Sequence, residues 1–401
     1  MMTTATLKKE LDATLENILS YWLDECQDFE NGGFIGQVDY NNHKHHHAEK
    51  GAVLNARILW TFAAAFQYNN KPEYLKTAKR AFAFIETYFY NKTDQGIYWS
   101  VNADGSPKDT KNQIYALAFT IYGLTEFYAV SKDKDALELA IQLYESIEKY
   151  SFDPLKKGYL EAFTSDWKTI DDLRLSEKDA NEKKTMNTHL HIVEAYANLY
   201  KVWPNIDLKQ KITELLETIE IHFINTENGH LRLFFDENWI EKPDVVSYGH
   251  DIEAAWLLQQ CAQTTENAHL IERYKKYALL LTDATLEGID EDGGLWYEFD
   301  PDANQLIAEK HWWPQAELLI GFFNAYELTQ DEKYLDTVYS NWEFIKKHLI
   351  DHSNGEWIWG VYSDYSPIQK DKAGFWKCPY HNGRACLELI QRIKKYDYEK
   401  V

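Results

Sequence analysis

Two phrases of the 401-residue chain, His191-x-x-Glu194 and His250-x-x-Glu253, place an imidazole and a carboxylate three residues apart. On a helix this spacing leaves the two side chains roughly 60° apart on one face. Each pair shares its stripe with apolar residues, Ala195 in the first and Ala254 and Leu257 in the second, so both are expected to look inward. A carboxylate so placed can fix the tautomer of a ring and raise its basicity, which prepares a general acid or base. His381 stands at the start of the last helical stretch, behind Pro379 and Tyr380. One such residue is as readily a packed histidine with a satisfied hydrogen bond, but three in corresponding parts of the chain argue for proton transfer near neutral pH. His189 lies about 200° around the helix from His191 and is read as structural.

Other chemistries find less support. No HExxH spacing occurs, and the HKHHH run at 43–47 sits in a polar stretch without nearby cysteines, so it reads as solvated surface. Neither GxGxxG, a Walker loop nor a GxSxG elbow is present. A glycosidase pair could hide among the 64 acidic residues, most of which are expected on solvated faces.

The elements that must position these histidines come in pairs. Helical periodicity predicts helices near 5–26, 52–69, 72–91, 112–131, 134–151, 186–203, 207–224, 249–264, 267–286, 311–328, 331–349 and 380–396. Polar turns such as YNNKPEY, SKDKDA and TQDEKY join several pairs. Between pairs a glycine-aromatic-acid phrase recurs, at Gly33, Gly96, Gly158, Gly229, Gly294 and Gly355, and reads as a short hairpin. Six helical hairpins with six such loops imply an all-α fold, a closed (α/α)6 barrel forming one domain over 1–401, with an open solenoid of helix pairs as the rival. Arg57, Tyr115, His191, His250, Trp313 and His381 fall on the even-numbered helices. If those line the inside, the six residues converge on one cavity.

Composition narrows the partners. A net charge of -22 repels phosphate backbones and anionic lipid, so neither nucleic acid nor membrane is expected as a partner. The N-terminal stretch lacks a continuous apolar region and no segment approaches the ~20 apolar residues of a membrane span, so a cytoplasmic location is expected. Cys26, Cys261, Cys378 and Cys386 form no CxxC pair and are expected to be reduced thiols. Fourteen Trp and 27 Tyr suit core packing and also stacking on the apolar face of a sugar ring.

Taken together, LNARILWTFA (54–63), MNTHLHIVEAYANLY (186–200), YGHDIEAAWLL (248–258), WWPQAE (312–317) and GFWKCPYHNGRAC (374–386) resemble the cellobiose 2-epimerases of the N-acylglucosamine 2-epimerase superfamily. The likeness runs over nearly the whole chain. It implies an (α/α)6 barrel that needs neither metal nor nucleotide, so no cofactor. It also implies conversion of the reducing-end glucose of a β-1,4-linked disaccharide, cellobiose or lactose, to mannose; the chain is separately expected to act as a monomer. By the same resemblance His250 and His381 are the acid/base pair at C2, and Glu253 orients His250. His191 assists ring opening, Arg57 holds the developing oxyanion, and Trp313 and Trp376 stack on the sugar rings. Tyr115, Asp179, Asn187 and Glu317 contact or support the substrate. Trp312 and Trp313 are adjacent, so one is expected to face the site and the other to pack.

The implied chemistry is coherent. Abstracting the C2 proton of an open aldose gives an enediolate, and returning it from the opposite face inverts C2, so two bases must flank one carbon beside a fixed cation. Return of the proton at C1 would make a ketose instead. A monosaccharide aldose-ketose isomerase or an N-acylglucosamine 2-epimerase is therefore the alternative reading. An (α/α)6 hydrolase or a non-catalytic sugar-binding barrel is a third.

Overall fold

The helical stretches differ in how their buried residues are spaced, and that difference sorts them into two layers. In Pro72–Phe84 burial recurs at Tyr74, Thr77, Ala78, Ala81 and Phe82, one stripe of an amphipathic helix. In Ile114–Ser131 every residue from Ile114 to Thr125 is buried, as in a helix enclosed on all sides. The computed structural model describes residues 2–243 and 245–399. Among them are twelve α-helices: α1 (Thr4–Asp24), α2 (Ala52–Asn69), α3 (Pro72–Phe84), α4 (Ile114–Ser131), α5 (Lys134–Tyr150), α6 (Met186–Val202), α7 (Ile206–His222), α8 (Tyr248–Thr264), α9 (Ala268–Thr285), α10 (Trp312–Thr329), α11 (Glu332–His348) and α12 (Tyr380–Glu399).

The even-numbered helices contact one another in the order α2, α4, α6, α8, α10, α12 and back to α2, which closes the ring and rules out the open solenoid. Each odd-numbered helix packs outside this wall, α3 on α2, α5 on α4, α7 on α6, α9 on α8, α11 on α10 and α1 on α12. α4 is the one described helix long and apolar enough to cross a membrane, contrary to the sequence expectation that no segment comes close. Its apolarity has another cause, since it is walled in by α2, α5 and α6.

The polar turns work as caps. Asn70, Lys132 and Gln330 end inner helices in the left-handed conformation. Asp133 and Asp331 then accept amide hydrogens from the first turns of α5 and α11. At the other pole each glycine phrase folds back after an outer helix, through the pairs Gln27 with Phe34, Tyr90 with Ile97, Phe152 with Tyr159, Ile224 with Leu231, Ile289 with Leu295 and Ile350 with Trp357.

Just before each inner helix the chain pairs with the loop of the next repeat. Lys50–Gly51 meets Ser100–Val101, Asn112–Gln113 meets Ala162–Phe163, Lys184–Thr185 meets Phe234–Phe235, Val246–Ser247 meets Glu298–Asp300, and Glu309–His311 meets Gly360–Tyr362. Val38 bridges Ala373, so the last repeat pairs with the first and the strand pattern closes as the helices do. All six inner helices therefore start at this pole, with their N-termini gathered around one opening.

Candidate active site

A cavity of about 310 Å³ opens among those N-termini. Its wall includes Arg57 from α2, Tyr115 from α4, Asn187 and His191 from α6, His250 and Glu253 from α8, Trp312 and Trp313 from α10, and His381 from α12. Asp179 and Trp376 join from loops. Ten of the eleven residues expected from sequence thus share one surface. Glu317, the remaining one, is fully buried behind it.

His381 donates from Nδ1 to Glu317 Oε1 at 2.7 Å, and His191 from Nδ1 to Glu194 Oε2 at 2.8 Å. His250 differs. Its Nδ1 lies 2.8 Å from Ser247 Oγ, not against Glu253. The expectation that Glu253 orients His250 is therefore incorrect: the Glu253 carboxylate is taken by Arg384, whose Nη2 donates to Oε1 at 2.9 Å. The Nε2 atoms of His191, His250 and His381 make no hydrogen bond among the described residues, which leaves them for a ligand.

The two candidate bases sit on nearby helices of the ring. In a ring of six, α8 and α12 are separated by α10 alone, so His250 and His381 do not stand diametrically opposed. Trp313 of α10 lies between them, its ring centroid 4.9 Å from His250 and 5.7 Å from His381. They therefore flank a common aromatic floor. Arg57 reaches in from α2, the helix opposite α8 in the ring order; its Nη2 donates to Tyr115 Oη at 2.8 Å and its guanidinium lies 4.1 Å from the centre of Phe119. Trp312 and Trp313 both line the cavity, against the expectation that only one would. Trp312 packs on Trp359 at 4.5 Å and forms a side wall, while Trp313 meets the imidazoles.

Beneath the cavity Arg384 ties the site together. Its Nη1 donates to Glu194 Oε1 at 2.6 Å and its Nη2 to Glu317 Oε1 at 2.7 Å and to Glu253, so one guanidinium joins the carboxylates that hold His191 and His381. Sequence reasoning passed over Arg384, although the signal was there: His381-x-x-Arg384 repeats the spacing of the two His-x-x-Glu pairs with the charge reversed. Glu253, Glu317 and His381 lie close enough together to suggest a cation site. The cation there is Arg384 itself, which competes directly with a metal for the same oxygens.

The electrostatics follow from this packing. Burial pushes the pKa of His250 and of His381 down to about 3, so both rings are neutral near pH 7; the Glu317 charge opposes the shift in each case. Burial also lowers His191, against the opposing pull of Glu194. Glu253 is raised, by burial and then by the Glu317 charge, whereas Glu317 is lowered because Arg384 and His381 outweigh its burial. Arg57 remains a cation because the groups around it outweigh its burial. Helix N-termini converge on the same space and add positive potential.

Hydrogen-bonding capacity is left over on the cavity wall. Arg57 Nε, Asn187 Oδ1, Trp312 Nε1 and Trp359 Nε1 are buried without a partner in the protein, which suits a ligand with many hydroxyl groups. Tyr297, His311, Trp359, Lys178 and Lys370 also line the space and escaped the sequence reading. They come mostly from strands and loops that carry no helical period. His189 is kept out of the cavity: its Nδ1 donates to Thr185 O and its Nε2 accepts from Tyr159 N, as the structural reading expected. The histidines at 43–47 are exposed or half-exposed, away from the site.

Fold and site together define an all-helical barrel whose interior is equipped for proton transfer on a small polar molecule. The chain belongs to the N-acylglucosamine 2-epimerase (GlcNAc 2-epimerase) family, whose sequence profile matches residues 33–385. It is 46% identical to the cellobiose 2-epimerase of Bacteroides fragilis over 96% of this chain and 98% of that one. It is 37% identical to the cellobiose 2-epimerase of Dictyoglomus turgidum over 98% of this chain and 100% of that one. The solved structure of cellobiose 2-epimerase from Bacillus thermoamylovorans superposes with a TM-score of 0.91 at 39% identity, covering 97% of this chain and 100% of that one.

Proposed function

We propose that the protein is an isomerase that inverts C2 of the reducing-end glucose of β-1,4-linked disaccharides, converting cellobiose to glucosyl-mannose and lactose to epilactose. The observation that carries this reading is the pair of imidazoles, His250 and His381, packed on the one Trp313 ring in a cavity that Arg57 also enters. Relatives named for this activity, similar over nearly their whole length, support it.

The reaction starts with ring opening, in which the C1 hydroxyl proton moves to the ring oxygen with His191 assisting. One of His250 and His381 then takes the C2 proton, leaving an enediolate whose negative charge Arg57 balances in a water-poor site. The other, which must enter the step protonated at Nε2 as well, delivers that proton to the opposite face of C2, so one ring gains the proton that the other gives up. The ring closes and no electrons leave the sugar. Trp313 and Trp376 offer flat surfaces for the two pyranose units. The same proposal takes the protein as a cytoplasmic monomer, a compartment in which its four buried thiols stay reduced.

The test is to incubate cellobiose or lactose with the protein in heavy water and analyse the product by NMR. An epimer with unchanged linkage and deuterium at C2 supports the reading. A ketose points to isomerisation at C1, free glucose to hydrolysis, and either as the main product overturns it. His250→Ala and His381→Ala are each expected to lower the exchange by about 10²- to 10⁴-fold. A chelator in the assay is expected to leave the rate as it was.

A further inference from the structure

Ser247 occupies the position before the first residue of α8, with extended backbone at φ −105° and ψ 94°. A serine at a helix start ordinarily turns its hydroxyl to an amide of the first turn. Thr185, at the start of α6, does so by accepting from Thr188 N at 3.2 Å. Ser247 makes no such bond; its Oγ is spent on His250 Nδ1 at 2.8 Å. The hydroxyl is also held in place, because Ser247 pairs across a strand with Glu298 and is buried. The helix start has thus given up a cap to hold an imidazole.

We propose that Ser247 is a positioning residue for His250, accepting its Nδ1–H so that Nε2 faces the cavity unprotonated, and that the two rings are backed unlike one another, His250 by a hydroxyl and His381 by a carboxylate. The proposal rests on the disaccharide epimerase reading for its kinetic consequences, though not for its geometry. His381 is backed by the Glu317 carboxylate, which balances the positive charge the ring acquires with a proton. A hydroxyl cannot balance that charge. The groups facing His250 from neighbouring elements do not supply the deficit by contact. Glu253 on its own helix is bound to Arg384, Glu317 of α10 to His381 and Arg384, and Asp179 of the mouth loop to Ser176. His191 of α6 and His381 of α12 oppose a second positive charge nearby.

The test combines spectroscopy and kinetics on the full-length protein labelled with 15N-histidine. In the wild type near neutral pH, the His250 signals are expected to show a protonated Nδ1 and a bare Nε2. In Ser247→Ala they are expected to move toward a mixture of tautomers. With cellobiose, Ser247→Ala is expected to lower kcat at least about tenfold, to change KM little, and to shift the acidic limb of the pH profile. Ser247→Thr, which keeps the hydroxyl, is expected to recover most of kcat. A wild-type tautomer and pH profile in Ser247→Ala would overturn the proposal. So would a Ser247→Thr variant as impaired as Ser247→Ala while melting like the wild type; if Ser247→Thr does not fold, the spectra of Ser247→Ala decide. Should the wild type put no deuterium at C2, the epimerase reading fails alone, and the tautomer spectra still settle the role of Ser247.

Discussion

His189 shows how a buried imidazole becomes a structural part. With both ring nitrogens engaged by backbone groups, burial drives its pKa down to about 3. In the unfolded chain it titrates near the ordinary value of about 6.5. Between these values the unfolded state binds the proton and the folded state does not, so this contribution to stability is lost as pH falls from about 6.5 toward 3. Urea unfolding at a series of pH values is expected to show a shallower fall in stability for His189→Gln than for the wild type, by up to about 1.4 kcal/mol per pH unit. Equal slopes would show that His189 is charged in the fold. The neighbouring His191 could be told apart from it by angle alone, because helix geometry puts the two on different faces. The partner of His250 could not be read this way, since a carboxylate three residues on satisfies the same spacing whether it faces the ring or a distant arginine.

At the scale of the helix, what could be read depended on burial pattern. Twelve helices and their order followed from periodicity and polar turns, and the bounds agree to within a few residues except at the C-terminal end of α3, which widens into a π-helical turn over Ile85–Phe89. The cavity wall contributed by loops, such as Tyr297, Trp359 and Lys370, was not legible, because no spacing rule says where a loop side chain lands. Close helix approach was also hidden in single glycines. A Cβ on Gly123 of α4 would lie 2.6 Å from the carbonyl oxygen of Ala56, the neighbour of Arg57 on α2. Gly123→Ala is expected to push α2 and α4 apart, to cost about 1–3 kcal/mol measured by denaturant titration, and to reduce turnover by disturbing Arg57 and Tyr115. A variant with wild-type stability would mean that the two helices yield freely there.

At the scale of the molecule the first and last repeats are joined twice, by helix contact between α12 and α2 and by the bridge from Val38 to Ala373. The site draws on all six inner helices, with Arg57 near one end of the chain and His381 near the other. Calorimetry is therefore expected to give one cooperative transition for the whole chain, and two well-separated transitions would contradict the closed arrangement. Closure itself was out of reach of periodicity, which describes each helix pair without saying how the last meets the first.

The strand that precedes each inner helix is matched to a segment contributed by the following repeat, all the way around. Deleting or duplicating a single hairpin would leave one such segment facing a stranger, so the copy number is locked and evolution is steered toward lengthening or shortening the connections at the rim.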